Sequence, residues 1–385
     1  MKKSREKETS KKMIPVCVPL LNGNELQYVE DCIKTNWISS KGRYVDAFEN
    51  KFSQYCGAKY GVTASNGTTS LHLALASLGL KKDDEVILPA FTMISPAFAI
   101  VYCKAKPVLV DAEPDTLNID PNLIEEKITE KTKAILPVHI YGHPCEMDPI
   151  KKIAEKHGLF IVEDAAEAHG AEYKSKKVGG IGDIGCFSFY ANKIITCGEG
   201  GMMITNNEKI ATRARHLRDL SFKNEEKRIY LHSEIGYNYR ITNLQAAIGL
   251  AQFERINQLA EMRRKNARLY NKQLKEVNGL KLPTEKSWAK NVFWMYSIQV
   301  EPDFGISRDE LMKELAEKGI ETRPFFIPMN KQPVFKKMNL FKNESYPVAE
   351  ELSQKGLYLP SSSGLKTDEL DYICKTITKI KKSHN

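Results

Sequence analysis

The sequence of 385 residues predicts an α/β protein with a mostly parallel sheet and a smaller C-terminal domain. Two observations indicate the sheet: short, continuously apolar segments recur between residues 60 and 205, and segments with helical periodicity separate several of them. Such apolar segments are typical of parallel strands that helices cover on both faces. A third observation is the change of pattern beyond this region, where a long helical stretch precedes one further strand and helix.

The predicted elements follow one another along the chain. The apolar segments assigned to strands are residues 85–89, 107–110, 134–139, 159–163, 186–190 and 201–205, and residues 71–78 and 147–157 are helix-like. A helical stretch at 244–273 leads to a strand at 295–300 and a helix at 308–318, which ends at Gly319. We therefore expect a disordered basic tail at 1–12, a large domain at 13–255 and a small C-terminal domain at 256–385.

The charge of the chain does not favour a nucleic-acid partner. Lys and Arg number 57 against 48 Asp and Glu, a net charge of +9. The first twelve residues and the last eleven each carry about +4 of this charge, so the body between them is nearly neutral. Solvated terminal tails explain this distribution better than a basic binding face.

Composition also indicates the compartment. No stretch of eighteen apolar residues is present, and the N-terminus lacks the apolar segment of a secretory signal, so we expect no membrane span. The 8 cysteines are scattered without a C-x-x-C pair, which argues against a disulfide framework or a zinc ribbon. These features predict a cytoplasmic protein.

The order of four features indicates pyridoxal-phosphate (PLP) chemistry. A small turn at 65–70 precedes a helix and offers N–H groups and hydroxyls to a phosphate. Asp164 follows a predicted strand, and Lys193 comes shortly after Ser188. A PLP enzyme needs a lysine amine, an acid beside the ring nitrogen and several phosphate donors. Each feature alone has an ordinary structural explanation, as a capped turn, a helix cap or a surface lysine, so their order carries the hypothesis.

Longer blocks of sequence carry a family resemblance. The blocks are WISSKG (37–42), FENKF (48–52), SNGTTSLHLAL (65–75), PVHIYGHPCEMD (137–148), EDAAEAHGAEY (163–173), CFSFYANKIITCGEGGMMIT (186–205), GYNYRITNLQAAIGLAQ (236–252) and ETRPFF (321–326). In these blocks the chain resembles the DegT/DnrJ/EryC1/StrS sugar aminotransferases, which are fold-type-I PLP enzymes. GYNYR, GHPCEMD and ETRPFF are most similar to the GDP-perosamine synthases of that family.

The resemblance implies a fold and a set of site residues. It implies a large domain with a mostly parallel seven-stranded sheet, a smaller C-terminal α/β domain, and a homodimer with shared active sites. Lys193 resembles the lysine that binds PLP covalently, Asp164 the partner of the ring nitrogen, and Glu167 the residue near the ring hydroxyl. The resemblance implies that Gly67, Thr68 and Ser188 bind the phosphate, and that Asn243 reaches the phosphate across the dimer interface. It implies substrate contacts at Tyr237, Arg240 and Arg323. Met93 departs from the family pattern, because an aromatic residue commonly stacks on the ring there.

The implied reaction is transfer of an amino group from L-glutamate to a nucleotide-linked 4-keto-6-deoxy sugar, GDP-4-keto-6-deoxymannose, giving GDP-perosamine. An aminotransferase for a UDP-linked, dTDP-linked or other keto-sugar is an alternative. A non-catalytic regulator on the same fold is another, and the joint presence of Lys193 and Asp164 argues against it. Lys193 also favours transamination over dehydration, because a related sugar dehydratase carries histidine at this position.

Two competing motifs receive structural interpretations. Residues 180–185 match the G-x-G-x-x-G dinucleotide pattern, but a polar turn precedes them and an apparent strand follows, whereas a nucleotide site needs a strand and then a helix. His139, His143 and Cys145 lie around Gly142 and Pro144 in a predicted loop without a defined ligand geometry, so we expect no metal site there.

Overall fold

The computed structural model describes residues 13–222 and 229–384, so the predicted tail at 1–12 lies outside the described residues. The strands are β1 (Tyr60–Ala64), β2 (Glu85–Pro89), β3 (Lys106–Val110), β4 (Thr132–Ile135), β5 (Phe160–Asp164), β6 (Glu172–Tyr173), β7 (Lys176–Lys177), β8 (Ile184–Ser188), β9 (Gly201–Thr205), β10 (Leu280–Lys281), β11 (Ala289–Lys290), β12 (Tyr296–Val300), β13 (Arg323–Pro324) and β14 (Gly356–Leu359). The α-helices are α1 (Glu25–Lys34), α2 (Arg43–Tyr55), α3 (Gly67–Ser77), α4 (Ser95–Tyr102), α5 (Met147–His157), α6 (Glu208–Arg218), α7 (Asn243–Phe253), α8 (Ile256–Leu274), α9 (Arg308–Glu317), α10 (Pro333–Lys337), α11 (Pro347–Lys355) and α12 (Thr367–Ser383).

The central sheet has seven strands in the order β1-β9-β8-β5-β4-β2-β3. The pairs from β8 through β5, β4 and β2 to β3 are parallel, and β9 runs antiparallel to both of its neighbours, β1 and β8. Every residue of β2, β8 and β9 is buried, as expected for strands that are covered on both faces. The predicted mostly parallel seven-stranded sheet is therefore confirmed.

A second, four-stranded sheet lies in the C-terminal part of the chain, in the order β10-β12-β14-β13 with antiparallel pairing. Residues of α8, α9 and α12 share one hydrophobic cluster with this sheet, in which the rings of Tyr270 and Tyr296 stack at 4.5 Å. A larger cluster surrounds the central sheet and also includes Phe325 and Phe335. The predicted domain boundary between residues 255 and 256 falls between α7 and α8. Phe325 and Phe335 lie beyond this boundary in the chain but pack in the larger cluster, so the boundary stays a proposal.

The prediction of one helix over 244–273 was wrong. The chain leaves the helical path after α7, and Arg255, with φ of −116° and ψ of 11°, precedes the start of α8. Strand β4 ends at Ile135, earlier than the predicted 139, and Pro137 soon follows, a residue without an N–H group to donate across a sheet. Strand β1 had no counterpart among the predicted strands. Within the described residues, no helix combines the length and apolar composition needed to cross a bilayer.

Candidate active site

A cavity of about 430 Å³ lies where the carboxyl ends of β5 and β8 meet the first turn of α3. In an open, mostly parallel sheet, ligands bind at this edge. The cavity is lined by Asn66, Gly67, Thr68, Leu71, Thr92, Met93, Ser95, Val138, Asp164, Ala166, Glu167, Ser188, Tyr190, Asn192, Lys193, Glu199, Trp294, Phe326 and Tyr358. The structure thus brings together the predicted residues Gly67, Thr68, Met93, Asp164, Glu167, Ser188 and Lys193.

The first turn of α3 forms one end of the cavity. Asn66 caps the helix: its side-chain oxygen accepts from the Thr69 N–H at 2.9 Å, and the Thr69 hydroxyl oxygen accepts from the Asn66 N–H at 3.0 Å. The N–H groups of Gly67 and Thr68 have no acceptor within the helix, because they belong to its first turn. They and the positive end of the helix dipole favour an anion at this point.

Gly67 allows the start of α3 to approach the end of β8. A Cβ atom at position 67 would lie 2.7 Å from the Ser188 Cβ atom, closer than real Cβ contacts allow. The absence of a side chain therefore places the first N–H groups of α3 beside the Ser188 hydroxyl. The Thr68 hydroxyl donates to the Ser95 hydroxyl oxygen at 2.9 Å, which adds two further oxygens to this end of the cavity.

Asp164 ends β5 and is nearly fully buried. Its side chain accepts from the Ala166 N–H at 3.0 Å. Burial raises the pKa of this carboxyl group, while the Ala166 N–H, Lys193 and His139 oppose the rise. A cationic group bound in the cavity would therefore stabilise the charged form of the Asp164 carboxylate.

Glu167 is also buried, and Tyr141 fixes its position. The Tyr141 N–H donates to the Glu167 carboxylate at 2.8 Å, and Tyr141 adopts a left-handed backbone with φ of 50°, which is uncommon outside glycine. Burial raises the pKa of Glu167, and Lys193 opposes that rise. Glu167 Oε1 lies 4.0 Å from Lys193 Nζ, so each group stabilises the charged form of the other.

Lys193 extends into the cavity from the turn after β8, where its N–H donates to the Tyr190 carbonyl at 2.9 Å. Its Nζ lies 3.8 Å from the centroid of the Trp294 ring, and its side chain is 11% exposed. Burial lowers the pKa of Lys193, whereas Glu167 and Asp164 raise it. Burial thus favours the neutral amine, which is the nucleophilic form of a lysine.

Met93 lines the cavity and is 46% exposed. Its sulfur accepts from the N–H and from the hydroxyl group of Ser95, both at 3.4 Å. The thioether is thereby held at the cavity wall, where it can pack against the face of an aromatic ring. The predicted contact between Met93 and the cofactor ring remains a prediction.

These residues fit pyridoxal phosphate. The cavity holds a buried amine, a buried carboxylate at a strand end, and an anion-binding helix start with the Ser188 hydroxyl beside it. The oxygen of the Thr92 side chain is buried without a hydrogen-bond partner and lines the same cavity, so it is available to a bound group. The donor set suits an aromatic cation that carries a phosphate.

Asn243 does not line this cavity. Its side-chain amide donates to the Trp37 carbonyl at 2.7 Å and accepts from the Tyr44 N–H at 3.1 Å, and only 1% of the residue is exposed. Within its own chain, Asn243 fixes the segment around Trp37. Its predicted contact with a neighbouring subunit's phosphate remains a prediction.

The three predicted substrate contacts also lie outside the cavity lining. Tyr237 stacks on Tyr239 with ring centroids 4.9 Å apart, and Arg240 pairs with Asp219 beside a separate polar cavity. Arg323 is exposed on β13, but it faces Tyr358 of β14 in the strand register, and Tyr358 lines the Lys193 cavity. Arg323 therefore lies near the rim of the cavity, whereas Tyr237 and Arg240 face other surroundings.

The two competing motifs have structural roles. Buried Glu163 accepts hydrogen bonds from the N–H groups of Gly179, Ile181 and Gly182 at 2.6–2.8 Å, which ties the glycine-rich turn to β5.

His139 Nδ1 accepts from the Cys145 N–H, and its Nε2 lies 3.0 Å from Glu163, so both ring nitrogens are engaged. Within the described residues, no group of three or more His, Cys, Asp and Glu side chains could hold a metal ion.

The sequence analysis missed several lining residues, notably Trp294, Phe326 and Tyr358. They come from segments 100 or more positions beyond Lys193, and only the folded chain brings them to the cavity. Phe326 stood in the quoted ETRPFF block, which was the available signal. Trp294 and Tyr358 had none.

Comparisons with known proteins agree with this geometry. A profile of the DegT/DnrJ/EryC1/StrS aminotransferase family matches residues 19–378. The chain is 43% identical over 368 residues to GDP-perosamine synthase from Caulobacter vibrioides, covering 95% of this chain and 98% of the relative. It is 43% identical over 369 residues to GDP-perosamine synthase from Escherichia coli O157:H7, covering 96% and 99%.

A solved structure is similar over nearly the whole fold. The sugar aminotransferase Spr1654 from Streptococcus pneumoniae, described as putative and solved in its PLP form, aligns with a TM-score of 0.90 at 26% identity. The alignment covers 97% of this chain and all of the Streptococcus chain. The chain therefore belongs to the DegT/DnrJ/EryC1/StrS aminotransferase family and is a pyridoxal-phosphate-dependent aminotransferase.

Proposed function

We propose that the protein transfers an amino group from L-glutamate to GDP-4-keto-6-deoxymannose and forms GDP-perosamine. The observation that carries an aminotransferase mechanism is the meeting of Lys193, Asp164 and Glu167 in one cavity beside the start of α3. The 43% identity to two GDP-perosamine synthases over nearly their whole length supports the choice of sugar.

Lys193 is proposed to hold the cofactor and to move protons. When bound, pyridoxal phosphate supplies an electron sink for the bonds broken at the amino-acid Cα atom. The neutral Nζ of Lys193 would act as the general base that accepts the Cα proton of glutamate and, once protonated, as the general acid that returns a proton. Asp164 would pair with the ring nitrogen, and Glu167, whose Oε1 lies 4.0 Å from Lys193 Nζ, would lie near the ring hydroxyl.

Cofactor orientation is proposed to come from the two ends of the cavity. The N–H groups of Gly67 and Thr68, with the Ser188 hydroxyl, would bind the phosphate, and Met93 would pack on the ring face. Gly67, Thr68, Ser188 and Asp164 would together restrict the rotation of a bound cofactor relative to Lys193. Such fixed orientation lowers the entropic part of the barrier.

The keto-sugar is proposed to enter over the rim at Arg323. Its diphosphate is a double anion and needs a cationic donor near an open cleft, and a guanidinium group suits it. Tyr358 connects the rim to the cavity, because it pairs with Arg323 across β13 and β14 and also lines the cavity.

The protein is further proposed to be a cytoplasmic homodimer. Trp37 is 57% exposed and Ile38 is 50% exposed on adjacent positions, and a second copy of the chain would cover them. Tyr237 and Arg240 line no part of their own Lys193 cavity, so their predicted substrate contacts would be made to the neighbouring subunit's cavity.

The proposed reaction is tested with the purified protein and a panel of GDP-, UDP- and dTDP-linked keto-sugars, with L-glutamate as donor. We expect the highest kcat/KM with GDP-4-keto-6-deoxymannose. Lys193→Ala is expected to bind PLP without a borohydride-reducible bond and to lose turnover. A preference for a UDP or dTDP sugar would contradict the sugar assignment, and a reducible adduct on Lys193→Ala would contradict the role of Lys193.

A further inference from the structure

Arg263 is a buried cation in α8 behind the Lys193 cavity. Only 3% of the residue is exposed. Among the residues that the structure describes, no carboxylate lies within 4.0 Å of its guanidinium group. A buried charge without a counter-ion is costly to the fold, so its presence calls for an explanation.

The guanidinium group of Arg263 instead donates to uncharged groups from four separate segments. Nη1 donates to the Trp294 carbonyl at 2.5 Å, and Nε donates to the Ser363 hydroxyl at 3.2 Å. Nη2 contacts the Cys17 sulfur at 3.3 Å and the Asn192 carbonyl at 3.5 Å. One side chain thus ties the N-terminal segment and two C-terminal segments to the turn that carries Lys193.

The Asn192 carbonyl is the point where these contacts meet. Besides Arg263, it accepts from the indole N–H of Trp294 at 2.8 Å and from the thiol of Cys17 at 3.3 Å. Asn192 directly precedes Lys193, so fixing this peptide fixes the origin of the lysine side chain. Trp294 adds a second restraint, because its ring lies 3.8 Å from Lys193 Nζ.

We propose that Arg263 is a positioning residue for Lys193, because Arg263 holds the Asn192 peptide from which the lysine side chain extends. The unpaired charge of Arg263 also opposes a second positive charge in the cavity. This inference rests on the proposed role of Lys193. The titratable groups that act on Lys193 are Glu167, Asp164, Cys17 and Arg263. Burial lowers the pKa of Lys193 most, Glu167 and Asp164 raise it, and Arg263 lowers it further. Removing the Arg263 charge would leave Glu167 and Asp164 less opposed, so the pKa of Lys193 would rise.

The test measures the protonation of Lys193 directly in the full-length protein after removal of pyridoxal phosphate. Trace labelling with acetic anhydride across pH, followed by peptide mass spectrometry, gives the pH at which each lysine becomes reactive. Exposed Lys59 is the internal reference. The variants are Arg263→Gln, which removes the charge, and Arg263→Lys, which keeps the charge but loses the fork. Arg264→Gln, the neighbouring position on α8, is the matched control, because Arg264 pairs with Glu285 instead.

We expect wild-type Lys193 to become reactive at a lower pH than Lys59. In Arg263→Gln the Lys193 profile should move to higher pH, because a nearby positive charge that disfavours protonation of the amine is lost. Arg263→Lys should keep the profile and lower kcat, because the Asn192 carbonyl loses its planar donor. Arg264→Gln should leave both quantities unchanged.

An unmoved Lys193 profile in folded Arg263→Gln, or an equal shift in Arg264→Gln, would overturn the proposal. If circular dichroism shows that Arg263→Gln is unfolded, Arg263→Lys decides, and an unchanged kcat in that variant overturns it. Labelling repeated with pyridoxal phosphate separates this test from the proposed function. If the cofactor fails to protect Lys193, the role of Lys193 is wrong whatever the effect of Arg263.

Discussion

Asp164 and Lys193 influence each other in opposite directions. Burial raises the pKa of Asp164 and lowers the pKa of Lys193, so each group alone tends to be neutral. Each also stabilises the charged form of the other. A protonated ring nitrogen beside Asp164 would hold that carboxylate in its charged form, and catalysis needs the ring in this protonated state.

Asp164→Asn should separate this charge from the shape of the site. Asparagine keeps an oxygen that can accept from the Ala166 N–H, so we expect thermal unfolding to change little. Without the carboxylate the ring nitrogen loses its proton, and the rate of the glutamate half-reaction should fall by about a thousandfold or more. Stopped-flow absorbance measures this rate, and the same substitution at exposed Asp148 is the control. Near-normal turnover of Asp164→Asn would refute the assignment.

The individual residues of the site were predictable to different degrees. Asp164 and Lys193 follow strands of the central sheet, so local patterns and their order were sufficient to find them. Trp294 reaches the cavity, and Arg263 reaches the Asn192 carbonyl behind it, from the C-terminal third of the chain. Their positions depend on how the segments beyond α7 pack on the sheet, and no local pattern records that packing.

Strand β5 illustrates how one element serves structure and chemistry together. Successive side chains of a strand point to opposite faces, so Glu163 and Asp164 have different surroundings. Glu163 binds the turn that contains Gly179, Ile181 and Gly182, and it also contacts His139. Asp164 lines the cavity. The position of Asp164 in the cavity therefore depends on the hydrogen bonds that Glu163 makes.

Glu163→Gln should destabilise the fold. The amide group of glutamine would oppose backbone N–H donors with its own N–H groups, which leaves buried donors without an acceptor. Losing one or two such bonds to a charged group should lower the free energy of unfolding by about 2–5 kcal/mol. Urea denaturation measures the change, with Glu155→Gln on the exposed face of α5 as the control. Equal stability of the two variants would contradict this role of Glu163.

Prediction of the elements failed where sequence patterns are ambiguous. In strand β1, Tyr60–Ala64, Gly61 and Thr63 separate the aliphatic residues Val62 and Ala64, whereas the neighbouring β9 has the unbroken apolar run Met202, Met203 and Ile204. The apolar periodicity of α7 runs on into α8, and the interruption between them involves ordinary residues without proline or glycine. The two helices could be separated only by their packing.

At the scale of the whole molecule, two predicted site residues lie outside the Lys193 cavity of their own chain. Tyr237 and Arg240 belong to a family-like block, yet both lie away from the Lys193 cavity of their own chain. Exposed Trp37 and Ile38 mark an apolar surface, and Asn243 holds the Trp37 carbonyl in place. A homodimer would account for both observations, with each subunit completing its neighbour's site.

Mixing two inactive variants tests this arrangement. Lys193→Ala lacks the amine, and Arg240→Ala lacks the proposed contact to the keto-sugar in the neighbouring cavity. Each variant alone should be nearly inactive with the sugar, whereas Arg240→Ala should still react normally with glutamate. If sites are shared, a heterodimer has one cavity with both residues intact and one with neither. After unfolding and refolding an equal mixture, about a quarter of wild-type sites should be restored.

Sedimentation should give twice the chain mass of 43.6 kDa. If heterodimers with distinct tags are isolated and remain inactive, Arg240 acts within its own chain and the shared site is wrong.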